Sequence, residues 1–177
     1  MKGSENVITI YTDGAVSGNG TAEAFGGAGF VCVETGEQMA IPVTEFATNQ
    51  VCELTAVYAA CYYAEKLIYA KKALFPPEEV VIRSDSAYII NCYNQKWYLN
   101  WQSNGWKNSK KEDVANQDLW ELIIPYFENL QFKFEKVKGH SGDTYNEIAD
   151  KLANKGKRMA KDIIEKTDKI LKECYNE

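Results

Sequence analysis

The chain has 177 residues, 45% of them hydrophobic and 25% charged, with a formal net charge of −5. That length suits one domain with a full core, and no stretch is long and apolar enough to span a bilayer. The negative charge argues against a generally cationic nucleic-acid binder, so any nucleic-acid contact has to come from a local basic patch. The N-terminal MKGSENVITIYTDG lacks the apolar core and cleavage site of a signal peptide, and a cytoplasmic protein is expected. Cys32, Cys52, Cys61, Cys92 and Cys174 show no C-x-x-C spacing, and there is a single histidine, so a zinc cluster is not indicated. Most of these cysteines sit in apolar surroundings and read as buried, reduced thiols.

Val7 to Gly14, VITIYTDG, reads as a strand that ends in an aspartate, Asp13. Taken alone, Asp13-Gly14 reads better as a hairpin turn. The pattern recurs at Val80 to Ser84, VVIRS, which runs into Asp85. Two strands that deliver a carboxylate at the same end suggest a metal site, placed where open α/β sheets carry ligands. Between them, Gly26 to Val33 and Gln38 to Val43 read as strands joined around Gly36. Links this short make an antiparallel meander with the first strand. Thr48 or Asn49 then caps a helix with Leu54, Val57, Cys61, Ala64 and Ile68 on its apolar face, and Pro76-Pro77 ends the segment. The strand from Val80 follows a crossover helix and is expected to run parallel to the first.

Ser86 to Asn94, Lys96 to Asn104 and Ala115 to Phe127 read as helices, the third carrying Leu119, Leu122 and Ile123 and disturbed near its end by Pro125. Gln131 to Val137 alternates as a last strand, and Thr144 to Lys155 is the next helix. Thr144 and Glu147 have capping-box spacing, and Gly156 is placed as a stop. The expected fold is α/β: one mixed five-stranded sheet, an antiparallel meander plus parallel strands, flanked by helices. Residues 1–156 form the expected domain, and 157–177 an amphipathic helical extension. Its stripe of Ile163, Ile164, Ile170, Leu171 and Cys174 is expected to pack on the domain, with a partner surface as the alternative. Asp162–Lys166, Glu165–Lys169 and Asp168–Lys172 are spaced as i,i+4 pairs.

Four acids stand out: Asp13 and Asp85 at strand ends, Glu53 in the first turns of the long helix, and Asp150 in the helix after Thr144. Each has an ordinary reading. Glu53 favours a helix dipole, Asp85 can cap the helix at Ser86, and Asp150 can be a half-exposed helix residue. Only the set is specific. Hard oxygen ligands without a cluster of His or Cys select magnesium or manganese. Two such ions can activate a water and stabilise the leaving oxygen of a phosphoryl displacement. A glycosidase needs only two acids and no metal, and fits less well.

TDG at Thr12–Gly14, TNQVCEL at Thr48–Leu54, RSDS at Arg83–Ser86, WKNSKK at Trp106–Lys111, DLW at Asp118–Trp120 and VKGHSGDTYNEIADKLA at Val137–Ala153 resemble ribonuclease H type 1. The resemblance runs from about Val7 to Gly156 in consistent order. It implies an endonuclease that cuts the RNA strand of an RNA–DNA hybrid with two Mg²⁺ ions, leaving 3′-hydroxyl and 5′-phosphate ends, with Mn²⁺ a possible substitute. The family carboxylates fall on Asp13, Glu53, Asp85 and Asp150, and its mobile-loop histidine on His140. The same resemblance puts Asn19, Asn49, Gln50 and Asn146 along the RNA strand, and makes Asn19 and Thr48 candidates for a DNA phosphate. Gln50 departs from the family's usual asparagine; it keeps the amide on a longer arm.

The basic patch lies between Lys96 and Lys111: Lys96, Lys107, Lys110 and Lys111, with Trp97, Trp101 and Trp106 interleaved and no acid. Such a mixture suits sugar and phosphate contact. At least one tryptophan is expected to pack, while Lys107, Lys110 and Lys111 face substrate. A monomer is expected. Two other readings stay open: a hybrid-binding module without activity, and another nuclease or strand-transferase on the same fold.

Overall fold

The computed structural model describes residues 6–70, 76–139 and 142–175. The strands are β1 (Val7–Ser17), β2 (Phe25–Cys32), β3 (Gln38–Val43), β4 (Glu79–Ser84) and β5 (Phe132–Lys136). The helices are α1 (Asn49–Ile68), α2 (Ala87–Gln95), α3 (Trp97–Ser103), α4 (Gln117–Glu128) and α5 (Thr144–Tyr175). One sheet has the order β3-β2-β1-β4-β5. β1, β2 and β3 form the antiparallel meander, and β1–β4 and β4–β5 pair in parallel, as the short links and the crossover helix predict.

Alternation along β1 sorts the layers. Ile8 and Ile10 enter the main core with Leu54, Val57 and Cys61 of α1. Tyr11 belongs to a second cluster with Val31, Ala149 and Leu152. The helices α1 and α5 therefore cover opposite faces. Helix α4 completes the main core with Trp120, Ile123, Ile124 and Phe127, while Leu122 is exposed, so its apolar face is rotated from the Leu119–Leu122 side. Pro125 sits inside α4, which continues to Glu128. Cys32, Cys52, Cys61 and Cys92 are buried free thiols, and Cys174 is exposed.

Several boundaries differ from the sequence reading. Strand β1 does not end at Asp13. Its parallel ladder with β4 stops at Thr12–Ser84, but its antiparallel ladder with β2 continues through Ser17–Phe25. Asp13 is thus the first residue beyond the parallel pairing. Helix α1 closes at Ile68, ahead of Pro76-Pro77, and Thr48 is its cap, its side chain accepting from the Val51 N–H. Helix α5 is capped by Asp143 rather than Thr144: Asp143 Oδ1 accepts from the N–H of Tyr145 and of Asn146 at 3.1 and 3.2 Å.

Gly156 is not a stop; α5 runs unbroken to Tyr175. A Cβ at Gly156 would lie 2.4 Å from the Ile41 carbonyl oxygen of β3, and one at Gly27 would lie 2.1 Å from the Lys157 nitrogen. These glycines let the helix lie directly on the sheet. The last fully buried residue described on α5 is Ala160. Beyond it Ile164 is half-buried, while Ile163, Ile170 and Leu171 are 44%, 58% and 47% exposed and Cys174 is exposed, so most of the stripe does not pack on the domain as expected. The ion pairs described there are Lys161–Glu165 and Lys169–Glu173, in the less favourable order. Truncation after Lys161 is accordingly expected to leave the melting temperature within about 2 °C of the full chain, whereas truncation after Gly156, which removes Ala160, lowers it further. Calorimetric melting of both truncations checks this, and a large drop for the longer one would mean the stripe is packed.

Candidate active site

Register aligns the two strand-end acids. With Thr12 opposite Ser84, the next residues on these parallel strands are Asp13 and Asp85. Glu53 reaches the same place from the first turns of α1, which lies against β1. A Cβ on Gly14 would sit 2.5 Å from the Glu53 nitrogen, so only glycine permits this approach. One oxygen from each of Asp13, Glu53 and Asp85 lies within 4.8 Å of the others. Asp13 and Glu53 are buried and Asp85 is half-buried. The loop after β5 crosses over Asp85, with the Gly139 Cβ position 2.5 Å from Asp85 Oδ2. This close approach is a physical reason for the first glycine of GHSG.

Glu53 carries the electrostatic strain. Burial, then the neighbouring carboxylates of Asp13 and Asp85, push its pKa up to about 9, against a smaller lowering by the Gly14 N–H. Its Oε2 is buried with no hydrogen-bond donor. An orphaned carboxylate oxygen facing two other carboxylates is what a hard cation would satisfy, so the donor set fits a divalent ion. Next to it, burial pushes the Cys52 thiol up to about 11, leaving it inert at neutral pH.

Asp150 does not join this trio. It is half-buried on α5, and its Oδ1 accepts from Asn154 Nδ2 at 3.0 Å. Asn146, one turn earlier on α5, is buried, and its Oδ1 has no partner. His140 lies outside the described residues.

The other polar candidates gather at the start of α1. Asn19 Oδ1 accepts from the Asn49 N–H at 3.1 Å, tying the loop after β1 to the helix, while Thr48 caps it. The side chains of Asn49 and Gln50 are exposed. In the basic segment Trp101 is in the core and packs edge-on to Trp120, so it is a support more than a contact surface. Trp97 is half-buried and lines a cleft of about 560 Å³ with Tyr88, Lys96, Trp101, Asn108 and Ser109. Lys110 and Lys111 are exposed, but Lys107 is drawn to Asp113 at 2.5 Å. Asp113 lies two residues past the acid-free window Lys96–Lys111, so the composition of that window alone does not reveal this partner of Lys107.

The sheet and its acidic trio define a class: an α/β protein whose parallel strands end in an all-oxygen donor set that fits a hard divalent cation. A family model described as RNase H matches residues 5–158, and the chain belongs to the RNase H family. It is 49% identical over 148 residues to a ribonuclease H of Syntrophomonas wolfei, covering 82% of this chain and 92% of that one. A ribonuclease H of Clostridium botulinum (strain Hall) is 40% identical over 148 residues, covering 83% and 93%. Among solved structures, a foamy viral protease-reverse transcriptase in complex with RNA/DNA hybrid superposes with a TM-score of 0.67 at 26% identity, covering 86% of this chain and 20% of that one. The same viral enzyme in complex with dsDNA gives 0.67 and 26%, covering 86% and 95%.

Proposed function

We propose that this chain is an endonuclease that hydrolyses the RNA strand of RNA–DNA hybrids with two Mg²⁺ ions, leaving 3′-hydroxyl and 5′-phosphate ends. The observation that carries this reading is the convergence of Asp13, Glu53 and Asp85, from three separate segments, within 4.8 Å. Asp13, Glu53, Asp85 and Asp150 would hold the ions, and Mn²⁺ would be accepted in their place. Bound there, such ions supply an activated water and charge stabilisation for an in-line phosphoryl displacement. The chain's own contribution is to keep these oxygens close in a partly dry site, and to release the Glu53 proton when a cation takes its place. His140, next after Gly139 in the sequence, would assist proton transfer or product departure.

The family relatives and the hybrid-bound viral neighbour support this substrate. Recognition would divide along the duplex. Asn19, Asn49, Gln50 and Asn146 would meet the RNA strand, and Thr48 with Asn19 a DNA phosphate. Lys110 and Lys111, with Trp97, would hold the partner strand. The hydrolytic unit would be residues 1–156, with 157–177 an extension dispensable for chemistry, in a monomeric cytoplasmic enzyme. Cleavage of a labelled RNA–DNA hybrid in Mg²⁺, with no cleavage of RNA–RNA or DNA–DNA duplexes, is the expected result. Binding of hybrid without cleavage would instead leave a recognition module.

Lys110→Ala with Lys111→Ala is expected to weaken hybrid binding and reduce its log–log salt slope by about 0.9 per lost phosphate contact, taking the duplex-DNA coefficient. Lys107→Ala should change the slope less, because Asp113 already neutralises it. Titration of hybrid binding against salt concentration checks both; an unchanged slope for the pair would make these lysines a solvated face only.

A further inference from the structure

We propose that Tyr11 is a positioning residue that sets the first turn of α5 against the carboxylate cluster, through a row of side chains crossing the sheet just below the site. The inference rests on the hydrolytic reading above for its effect on turnover. The row follows from register. Tyr11, Arg83 and Glu135 are direct partners on the neighbouring strands β1, β4 and β5. By strand alternation they share the face covered by α5, and Asp13 lies two residues beyond Tyr11 on that same face.

The three side chains are joined in sequence. Glu135 Oε2 accepts from Arg83 Nε at 3.1 Å, and Arg83 Nη1 donates to the Tyr11 hydroxyl oxygen at 2.7 Å. The Tyr11 hydroxyl in turn donates to Asp143 Oδ2 at 3.2 Å. A phenol has one proton; with the guanidinium aimed at its oxygen, that proton is directed to Asp143, so the row has a fixed polarity. The Tyr11 ring stacks on Tyr145 at 5.6 Å, and the Arg83 guanidinium lies 5.4 Å from its centroid. Tyr11 itself is buried.

Asp143 joins this row to the start of α5. Its Oδ2 accepts the hydrogen bond from the Tyr11 hydroxyl, while its Oδ1 caps α5 by accepting from the N–H groups of Tyr145 and Asn146. One carboxylate thus fastens the helix start to β1. That helix start carries buried Asn146 in its first turn and Asp150 one turn further. The remainder of α5 is anchored independently, by Ala149, Ala153, Gly156 and Ala160 against the sheet side. Cutting the tie therefore slackens the first turn without unfolding the helix.

Tyr11→Phe and Asp143→Ser each cut the tie and spare the rest. Phenylalanine keeps the stacked ring. Serine remains a good helix cap, but its single short hydroxyl cannot serve both the cap and the Tyr11 hydroxyl. Each variant is expected to lower kcat on a hybrid about tenfold with KM within about twofold, since small misplacements near reacting groups act on turnover. The double variant should be no worse than either single one, because both remove one interaction. Amide exchange at Tyr145 and Asn146 should quicken in both, with the melting temperature nearly unchanged. Wild-type kcat and exchange in Tyr11→Phe would overturn the proposal. So would losses that multiply to about a hundredfold in the double variant together with a lowered melting temperature, which would mean two separate structural defects. If the wild-type chain cleaved no hybrid, the hydrolytic reading would fail, while the exchange measurement would still report whether Tyr11 holds the helix start.

Discussion

Asp13→Asn and Asp85→Asn are each expected to abolish hybrid cleavage and leave the chain folded. Both side chains sit at the end of the parallel ladder and each gives an oxygen to the trio. Removing one charge from a site that binds divalent ions forfeits several kcal/mol of charge stabilisation, a loss of roughly 10³-fold or more in rate. The same substitutions should raise, not lower, the melting temperature of the metal-free chain, because Asp13 and Asp85 are the charges that drive the Glu53 carboxyl upward. Loss of activity with gained stability is the signature of a binding site rather than of a core. Assay of the two variants beside their melting curves in chelator checks this. Near-normal turnover by either folded variant would remove the acid cluster from the mechanism.

The second large effect is a pH dependence of stability in the metal-free chain. Burial and the adjacent carboxylates raise Glu53 from 4.5 to about 9, so the folded chain binds a proton there that the unfolded chain has lost. Between those two values the unfolded state binds fewer protons, and stability falls as pH rises, by up to about 1.4 kcal/mol per pH unit. Below the lower value both states are protonated and the dependence vanishes. By pH 7, about two and a half pH units above the lower value, the accumulated penalty is roughly 3–4 kcal/mol. Glu53→Gln keeps the shape without the charge, so it should flatten the profile and melt higher than wild type at pH 7 in chelator. Added Mg²⁺ should reverse the wild-type trend by mass action, since it binds the folded site. Denaturant titrations from pH 5 to 9 decide this; a stability that rises with pH in chelator would show that Glu53 is ionised without a cation.

Much of the site was legible because its pieces are local. The strands before Asp13 and Asp85 have a β-rich composition, and a crossover helix between them forces the two acids to the same end. Glu53 follows from the cap at Thr48 and the apolar face starting at Leu54. Asp150 is different: the motif points to it, but its carboxylate stands apart from the trio and is held by Asn154. Thr144 was placed as the cap because Thr144–Glu147 matches the spacing, yet Asp143 can reach back to Tyr11 as well as cap, and only the tertiary structure decides between neighbours. The row Glu135–Arg83–Tyr11 was not readable at all, since it depends on the register of three strands from distant segments. Gly156 shows the reverse error. A glycine needed for helix–sheet contact looks the same in sequence as one that ends a helix. The stripe beyond Ala160 has the periodicity of a buried face, but periodicity does not say whether a surface is there to meet it.

The most direct single measurement is the chemistry of the cut ends. A labelled RNA strand in an RNA–DNA hybrid should be cleaved only when Mg²⁺ or Mn²⁺ is present, giving fragments with 5′-phosphate and 3′-hydroxyl ends, the products formed when water attacks the phosphorus and the 3′-oxygen leaves. Cleavage that persists in chelator, or fragments ending in a 2′,3′-cyclic phosphate, would mean that the RNA's own 2′-hydroxyl is the nucleophile, and would contradict the role assigned to Asp13, Glu53 and Asp85.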